Sequence, residues 1–324
     1  MPFCMLLNSK IGIKKVMSFG ILFLILYYHL LNSLGGGVPY YIIALAYGIS
    51  IAFYYSAYHL EFAKFVDKKR EATEISMIRI ITIISTCLGP LIGAVFISKI
   101  SFAFLFFLVS VLLVFSVIPL FFTKDVKIER PSLSLAQIIK SDTREKAIAY
   151  QVSGFLNVAL GIFWPLFIFL IFKDLLTLGW IVSATSVIMV VFLFVIGKLS
   201  DRNKEKVLTV GIFSHSLSWI SRLLFLSPIG IFLNNFYSSV SSSLIDIPFF
   251  KMIYEKAESG NAANYFLFRE FNLEIGRSFV LVLAFFSGSI YTVFIISFFV
   301  TFFYFVLIKD AHLNKVFDFK VYRM

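Results

Sequence analysis

The chain has 324 residues, of which 60% are hydrophobic and 15% are charged, and its formal net charge is +11. Soluble domains carry about 25% charged residues, so this composition excludes a soluble enzyme, a secreted disulfide-rich domain and a disordered chain. The Lys and Arg residues lie in short clusters between long neutral stretches, and such clusters do not form the basic face that a nucleic acid needs. We therefore expect an integral membrane protein whose partner is the lipid bilayer and not a nucleic acid.

Ten apolar stretches follow one another along the chain, each close to the length of about 20 residues that a transmembrane helix requires. They are apolar on all faces, which favours helices over the alternating strands of a barrel. The predicted spans are 16–33, 38–60, 75–97, 101–122, 147–171, 176–197, 207–226, 229–250, 265–286 and 290–308. Turn-forming residues join them in pairs at Gly35–Pro39, Lys99–Ser101, Lys173–Asp174, Ser227–Pro228 and Ser287–Ser289. The expected fold is an all-α polytopic membrane bundle of about ten transmembrane helices.

The positive-inside rule tests this arrangement, because cytoplasmic loops carry an excess of Lys and Arg. All of the 29 basic residues except Lys99, Lys173 and Arg222 fall on one side of the alternating hairpins. We therefore expect a multi-pass protein of the cell membrane with both termini in the cytoplasm. Arg222 shares a helix face with Trp219, and we expect its long side chain to extend to the outer surface.

A polar segment over 124–145 divides the chain into two parts. The sequence predicts a partial N-terminal bundle over 1–123 and a six-helix bundle with a short cytoplasmic tail over 146–324. Segment 124–145 is then a cytoplasmic linker. A short amphipathic helix from Leu135 to Lys146 is predicted at its end.

Two loops share a motif. The loop after the sixth span reads Gly197-Lys198-Leu199-Ser200-Asp201-Arg202, and an ordinary basic loop does not require its Gly or its Asp. A single Asp among cations can bind the positive N-terminal end of a neighbouring helix. Segment Asn8–Val16 repeats the pattern in degraded form, with Ser9 at the position of the Asp. Both segments resemble the loop motif of the major facilitator superfamily, and the roles we expect for Gly197, Asp201 and Arg202 are those of a gating loop.

This resemblance implies a helix numbering. In the family the first copy of the motif joins helices two and three, so the first span here resembles helix three. Ten spans then reach helix twelve, and the linker lies between helices six and seven, where the family has its own. The resemblance implies a transporter that lacks the first two of twelve helices. An upstream start, a gene fragment and a self-sufficient ten-helix variant all stay open.

Segment Ser85–Ala94 resembles a motif of family helix five that is common in antiporters, through Gly89, Pro90 and Gly93. Simple close packing of helices would use the same small residues. Helices four, seven and ten of the family line the solute cavity. The resemblance therefore implies solute contacts for Tyr54 and Tyr58 on helix four, Asn157 and Trp164 on helix seven, and Asn235 on helix ten. For the tyrosines, anchoring at the membrane interface is the alternative.

Charges at bilayer depth cost about 2.5–3.5 kcal/mol each on insertion scales, so each one needs a reason. Asp246 follows a polar stretch of Asn and Ser residues, and a proton, a cationic solute and Arg277 are all possible partners for it. Glu274 and Arg277 lie three residues apart and predict an ion pair near the inner membrane boundary. A gate at the inner mouth that also involves Asp246 is the alternative.

The sequence therefore predicts a secondary transporter that moves a small solute by alternating access. Uniport and proton-coupled transport both stay open. A truncated chain that does not transport is one alternative. A membrane enzyme that modifies lipids is another, although it would need clustered His, Asp or Cys residues. The 4 histidines and 2 cysteines show no ligand spacing, so we predict no catalytic residue, no metal site and no cofactor.

Overall fold

A computed structural model describes residues 2–34, 36–65, 71–122, 125, 134–258 and 262–308 of the chain. These residues are helical almost throughout, and no strand occurs among them. The all-α bundle that the apolar stretches predict is confirmed. Every predicted span is helical over most of its length.

The first half contains α1 (Pro2–Ile11), α2 (Ile13–Asn32), α3 (Tyr40–Phe65), α4 (Glu71–Lys99) and α5 (Phe102–Phe121). The second half contains α6 (Leu135–Ile139), α7 (Arg144–Val158), a π-helical turn (Ala159–Phe163), α8 (Trp164–Phe172), α9 (Leu175–Arg202), α10 (Lys204–Leu224), α11 (Pro228–Glu258), α12 (Ala262–Ser287) and α13 (Ile290–Phe302). The predicted span 147–171 thus combines α7, the π-helical turn and α8.

Six stretches among the described residues are long and apolar enough to cross a membrane. They are Ile13–Asn32, Tyr40–Glu61, Phe102–Phe121, Arg144–Phe172, Lys204–Leu224 and Ile290–Ile308. Helix α9 bends by 50° between Leu175–Val190 and Val195–Arg202. It is a seventh candidate span if these two segments are counted together. The two helices α11 and α12 carry the polar and charged residues that the sequence places at bilayer depth.

The chain forms two compact units. One comprises residues 1–77, 92–139 and 257–267, and in it α2 packs against α1, α3 and α5. Gly20 lets α2 approach α3, because a Cβ at Gly20 would lie 2.6 Å from the backbone nitrogen of Tyr54. The other unit comprises residues 78–91, 140–256 and 268–324, and in it α10 packs against α13. Gly211 of α10 similarly faces Leu244 of α11, because a Cβ at Gly211 would lie 2.8 Å from the Cβ of Leu244.

The predicted turns are present apart from Gly35, which lies outside the described residues, and local chemistry explains two of them. Lys173 has a left-handed backbone with φ of 52°. Asp174 then caps α9, where its carboxylate accepts hydrogen bonds from the backbone nitrogens of Leu176 at 3.1 Å and Thr177 at 2.8 Å. Gly288 has φ of 61° and separates α12 from α13. Because these signals are local, the sequence was sufficient to place the turns.

Two local predictions are wrong. The single helix predicted from Leu135 to Lys146 is divided, because α6 ends at Ile139 and Thr143 caps α7 by accepting a hydrogen bond from the backbone nitrogen of Lys146 at 3.4 Å. Ser, Asp and Thr side chains compete with the helical backbone in this way. The motif segment Asn8–Val16 is also helical rather than a loop, with one break at Gly12, where φ is 104°. Residues 124 and 126–133 of the linker and the tail beyond 308 lie outside the described residues.

Candidate functional site

Arg222 is the most deeply buried cation of the described chain. Its relative exposure is 0%. The guanidinium carbon lies 3.9 Å from the ring centroid of Trp219 and 4.8 Å from that of Trp164. The prediction that Arg222 extends to the outer surface is therefore wrong, and the reason is that two tryptophan faces hold its charge inside the unit by cation–π interactions.

Trp164 lies at the start of α8 and joins three helices through polar contacts. Its indole nitrogen donates a hydrogen bond to Oδ1 of Asn235 on α11 at 3.0 Å. The Asn235 amide nitrogen in turn donates to Oγ1 of Thr185 on α9 at 2.9 Å. Trp164 is buried, with 3% exposure. Two residues that the family resemblance implies for a solute path, Trp164 and Asn235, are thus in direct contact.

Helices α10 and α11 share a second set of polar contacts beside the first. Arg222 donates from Nη2 to Oγ of Ser238. The Ser221 hydroxyl donates to Oδ1 of Asn234 at 3.2 Å. We refer to Trp164, Trp219, Arg222, Asn234, Asn235 and Ser238 as the Arg222 cluster. Phe294 of α13 closes this cluster, with its ring centroid 5.9 Å from that of Trp164 and 5.8 Å from that of Trp219.

The π-helical turn sets the position of Trp164. Pro165 has no backbone N–H and cannot donate to the carbonyl of Gly161, four residues earlier. The backbone N–H of Trp164, one residue earlier, donates to the carbonyl of Ala159 five residues before it, which is the wider π pattern. A wider turn of this kind is frequent at functional sites.

The Arg222 cluster has more hydrogen-bond donors than acceptors. Four of its donor atoms have no acceptor among the described residues, namely Nε and Nη1 of Arg222, Nε1 of Trp219 and Nδ2 of Asn234. In the described chain no carboxylate forms an ion pair with Arg222. The cluster therefore combines a positive charge with unused donors.

A separate group of charges lies on α12. Arg277 pairs with Glu274 at 2.5 Å and approaches Glu270 at 3.9 Å. Glu270, which is 6% exposed, also pairs with Arg269. The ion pair between Glu274 and Arg277 that the spacing predicts is confirmed. Asp246 lies on α11 and is half-buried.

The contact between α7 and α12 escaped the sequence analysis. A Cβ at Gly154 would collide with the carbonyl oxygen of Leu273, and one at Gly276 would collide with the carbonyl oxygen of Gln151. The Gln151 amide nitrogen also donates to Oδ1 of Asn272 at 2.9 Å. A glycine inside a helix costs about 1 kcal/mol relative to alanine, so the two glycines were a signal of close backbone approach.

Asp125 makes the contact that the sequence analysis expects of a motif Asp. Its carboxylate accepts hydrogen bonds from the backbone nitrogens of Lys14 at 2.9 Å and Lys15 at 3.4 Å, at the N-terminus of α2. Gly12 makes room for it, since a Cβ there would collide with the carboxylate. Asp201 instead pairs with Lys251 on α11 at 3.0 Å. Sequence spacing gave no sign of the Asp125 contact.

The other predicted site residues are dispersed. Tyr54 and Tyr58 stack with ring centroids 6.1 Å apart and are half-buried in the first unit. Asn157 is exposed, and its amide nitrogen lies 3.5 Å from Oγ of Ser153. Arg202 is also exposed.

The motif glycines do not mediate close packing in the described part of the chain. No described atom lies within 4 Å of a Cβ built at Gly89 or Gly197, and at Gly93 the nearest is Cδ2 of Leu105 at 3.8 Å. Pro90 lies inside α4, which continues past it.

Comparison with known proteins agrees with the fold. A search of curated proteins finds no match. The family profile described as Major Facilitator Superfamily matches residues 1–266, which is most of the chain and includes α1 to α11 and the loop motif at Gly197–Arg202. The chain belongs to the Major Facilitator Superfamily, a family of membrane transporters.

Proposed function

We propose that the chain moves a small solute across the cell membrane by alternating access, with both termini in the cytoplasm. Family membership supports transport in general. The observation that carries the finer proposal is the polar chain from Trp164 through Asn235 to Thr185, which joins three helices of one unit. Polar groups at bilayer depth are costly and mark solute pathways.

This kind of transport uses rearrangement of helical bundles around a bound solute and no covalent step. In our proposal Trp164 and Asn235 contact the solute, and Tyr54, Tyr58 and Asn157 line other parts of its path. The ion pairs of Asp201 with Lys251 and of Glu274 with Arg277 act as gates, because a pair that forms in only one conformation stabilises that conformation. Gly89, Pro90 and Gly93 provide a bend in α4.

Proton coupling is part of the proposal, and Asp246 is its candidate carrier. Asp246 is half-buried on α11, a helix that also carries the polar residues Asn234, Asn235 and Ser238. A carboxylate in such surroundings can exchange a proton when the conformation changes. Asp246→Asn should therefore abolish uptake driven by a proton gradient and retain exchange of solute across the membrane.

Reconstitution into liposomes tests transport. We would measure uptake of labelled sugars, amino acids and organic acids by the full chain, with and without an inward proton gradient. Trp164→Phe, which keeps a ring and removes the donor to Asn235, should reduce uptake about tenfold. Trp180→Phe is the matched control, because Trp180 is 61% exposed. Absence of uptake of every solute by folded protein would overturn the proposal.

Reporter tags test the orientation. Tags inserted into 124–145 and into Lys198–Lys206 should both be accessible from the cytoplasm. Tags on opposite sides of the membrane would overturn the arrangement of spans and the gating roles with it.

A further inference from the structure

The charge of Arg222 has no counter-charge in the described part of its unit. A buried cation without a counter-ion is destabilising unless other groups compensate it. The faces of Trp164 and Trp219 compensate in part through cation–π attraction. At the edge of the guanidinium, Nε and Nη1 have no hydrogen-bond acceptor among the described residues.

The unused groups around Arg222 are all donors. Trp219 contributes Nε1, and Asn234 contributes Nδ2. Asn234 and Ser238 lie four residues apart on α11 and thus on one face, and Ser238 accepts from Arg222. Ser221, which precedes Arg222 on α10, donates to Oδ1 of Asn234. Asn234 and Arg222 therefore lie in one region between α10 and α11, where Asn234 contacts Ser221 and Arg222 contacts Ser238.

A group that satisfies these atoms must accept several hydrogen bonds and carry negative charge. A carboxylate does both, because it has two oxygens with about four acceptor positions and pairs with the planar guanidinium fork. A cationic solute would add a second positive charge, and a hydroxyl would leave the charge unpaired. Trp164, Trp219 and Phe294 surround the region with apolar rings that suit a small organic body.

We propose that the Arg222 cluster binds the carboxylate of a small organic anion, and that this anion is the transported solute. The second clause rests on the proposed function. The first depends only on Arg222 and its neighbours. Arg222 has no exposed surface in this conformation, so binding requires a separation of helices around it, as alternating access provides.

The experiment uses the purified full chain and its thermal unfolding midpoint. Acetate, lactate and benzoate are the probes, with chloride, phosphate, glucose and choline at matched ionic strength as comparisons. A ligand that binds the folded state raises the midpoint by an amount that grows with the logarithm of its concentration relative to its Kd. We expect at least one carboxylate to raise the midpoint and the comparison solutes to leave it unchanged. An equal shift with chloride would overturn the carboxylate assignment, and so would the absence of a shift with every carboxylate.

Variants separate binding from a structural role. Arg222→Met removes the charge and keeps the length of the side chain, and because it removes an uncompensated buried charge it should fold. The carboxylate shift should disappear in Arg222→Met. A shift that persists unchanged would overturn the proposal.

Trp219→Phe keeps both Arg222 and an aromatic face but removes one donor. It should raise the half-saturating carboxylate concentration about tenfold, which keeps the test valid even if Arg222→Met fails to fold. An unchanged concentration would contradict the proposed donor set. Trp180→Phe is again the control and should behave as the unmodified chain.

The liposome assay separates this proposal from the proposed function. A carboxylate shift without uptake of any solute would support the site and overturn transport. Uptake of a neutral or cationic solute that Arg222→Met leaves intact would support transport and overturn the assignment of the solute as an anion.

Discussion

Arg222 and Arg277 lie in the same unit, yet the protein treats their charges in opposite ways. The Arg277 side chain is 30% exposed and has two glutamates, Glu274 and Glu270, as partners. The Arg222 side chain is fully buried and has tryptophan faces and one serine hydroxyl. The partly exposed Arg277 has partners on its own helix, whereas the buried Arg222 has partners on neighbouring helices. Arg277 thus has counter-charges within the described chain. Arg222 keeps two donor atoms, Nε and Nη1, that no described acceptor uses.

The largest expected effect concerns the packing that positions Arg277. Gly276→Ala places a methyl group against the carbonyl oxygen of Gln151 and forces α12 away from α7. We expect it to lower the free energy of unfolding by about 2–3 kcal/mol. Gly197→Ala is the matched control, since nothing described lies within 4 Å of its Cβ. Equal thermal midpoints for the two variants would contradict the close approach of the helices.

Removing each arginine in turn tests the comparison directly. Arg277→Met leaves the buried Glu270 with one partner fewer and should cost about 1–2 kcal/mol, less than a fully buried pair because Arg277 is partly exposed. Arg222→Met should leave the stability unchanged or raise it. Thermal unfolding of both variants without added anions measures the difference. A larger loss for Arg222→Met would mean that its charge is already compensated inside the unit.

A third charge has backbone groups for partners. Asp125→Ala removes two hydrogen bonds at the N-terminus of α2 and should cost about 1 kcal/mol, as the loss of a helix cap does. Asp201→Ala breaks an exposed ion pair and should cost less than about 0.5 kcal/mol. Their unfolding midpoints should differ in that order. The reverse order would show that the Asp125 contact contributes little to α2.

The smallest effect is expected from pH at Asp174. The Thr177 hydroxyl and backbone N–H hydrogen bonds lower the pKa of this carboxyl below its ordinary value. A lowered pKa means that the carboxylate stabilises the folded state above the ordinary Asp pKa, and that this stability is lost as the pH falls through the lowered value. Asp174→Ser keeps a capping oxygen but cannot titrate. Its unfolding midpoint should therefore decline less steeply below pH 4 than that of the unmodified chain, and identical slopes would exclude the cap as a source of acid sensitivity.

The sequence was sufficient where the determinants are local. Turns at Lys173 and Ser287–Ser289 follow from capping and glycine chemistry, and the pair of Glu274 with Arg277 follows from helical spacing. The family resemblance brought Trp164 and Asn235 into consideration. It also selected Asn157, which the structure leaves exposed.

Contacts between distant segments could not be read in the same way. Arg222 and Trp164 lie on different helices, and nothing in the chain between them indicates that they meet. The Asp125 contact with α2 and the passage of Gly154 beside Leu273 likewise depend on how helices pack. Hydropathy places a helix in the membrane, but it does not say which of its faces meets which neighbour.

The π-helical turn makes chain length itself a determinant of the Arg222 cluster. A π turn accommodates one more residue than an α turn, so everything after Phe163 is offset by one position from the register that α7 sets. If Ala159–Phe163 closed as α-helix with no residue removed, Trp164 would point about 100° away from Asn235 around the axis. The hydrogen bond between Trp164 and Asn235 therefore depends on the width of this turn and not on its side chains, and a single deletion that leaves Trp164 four residues after Ala159 should preserve it.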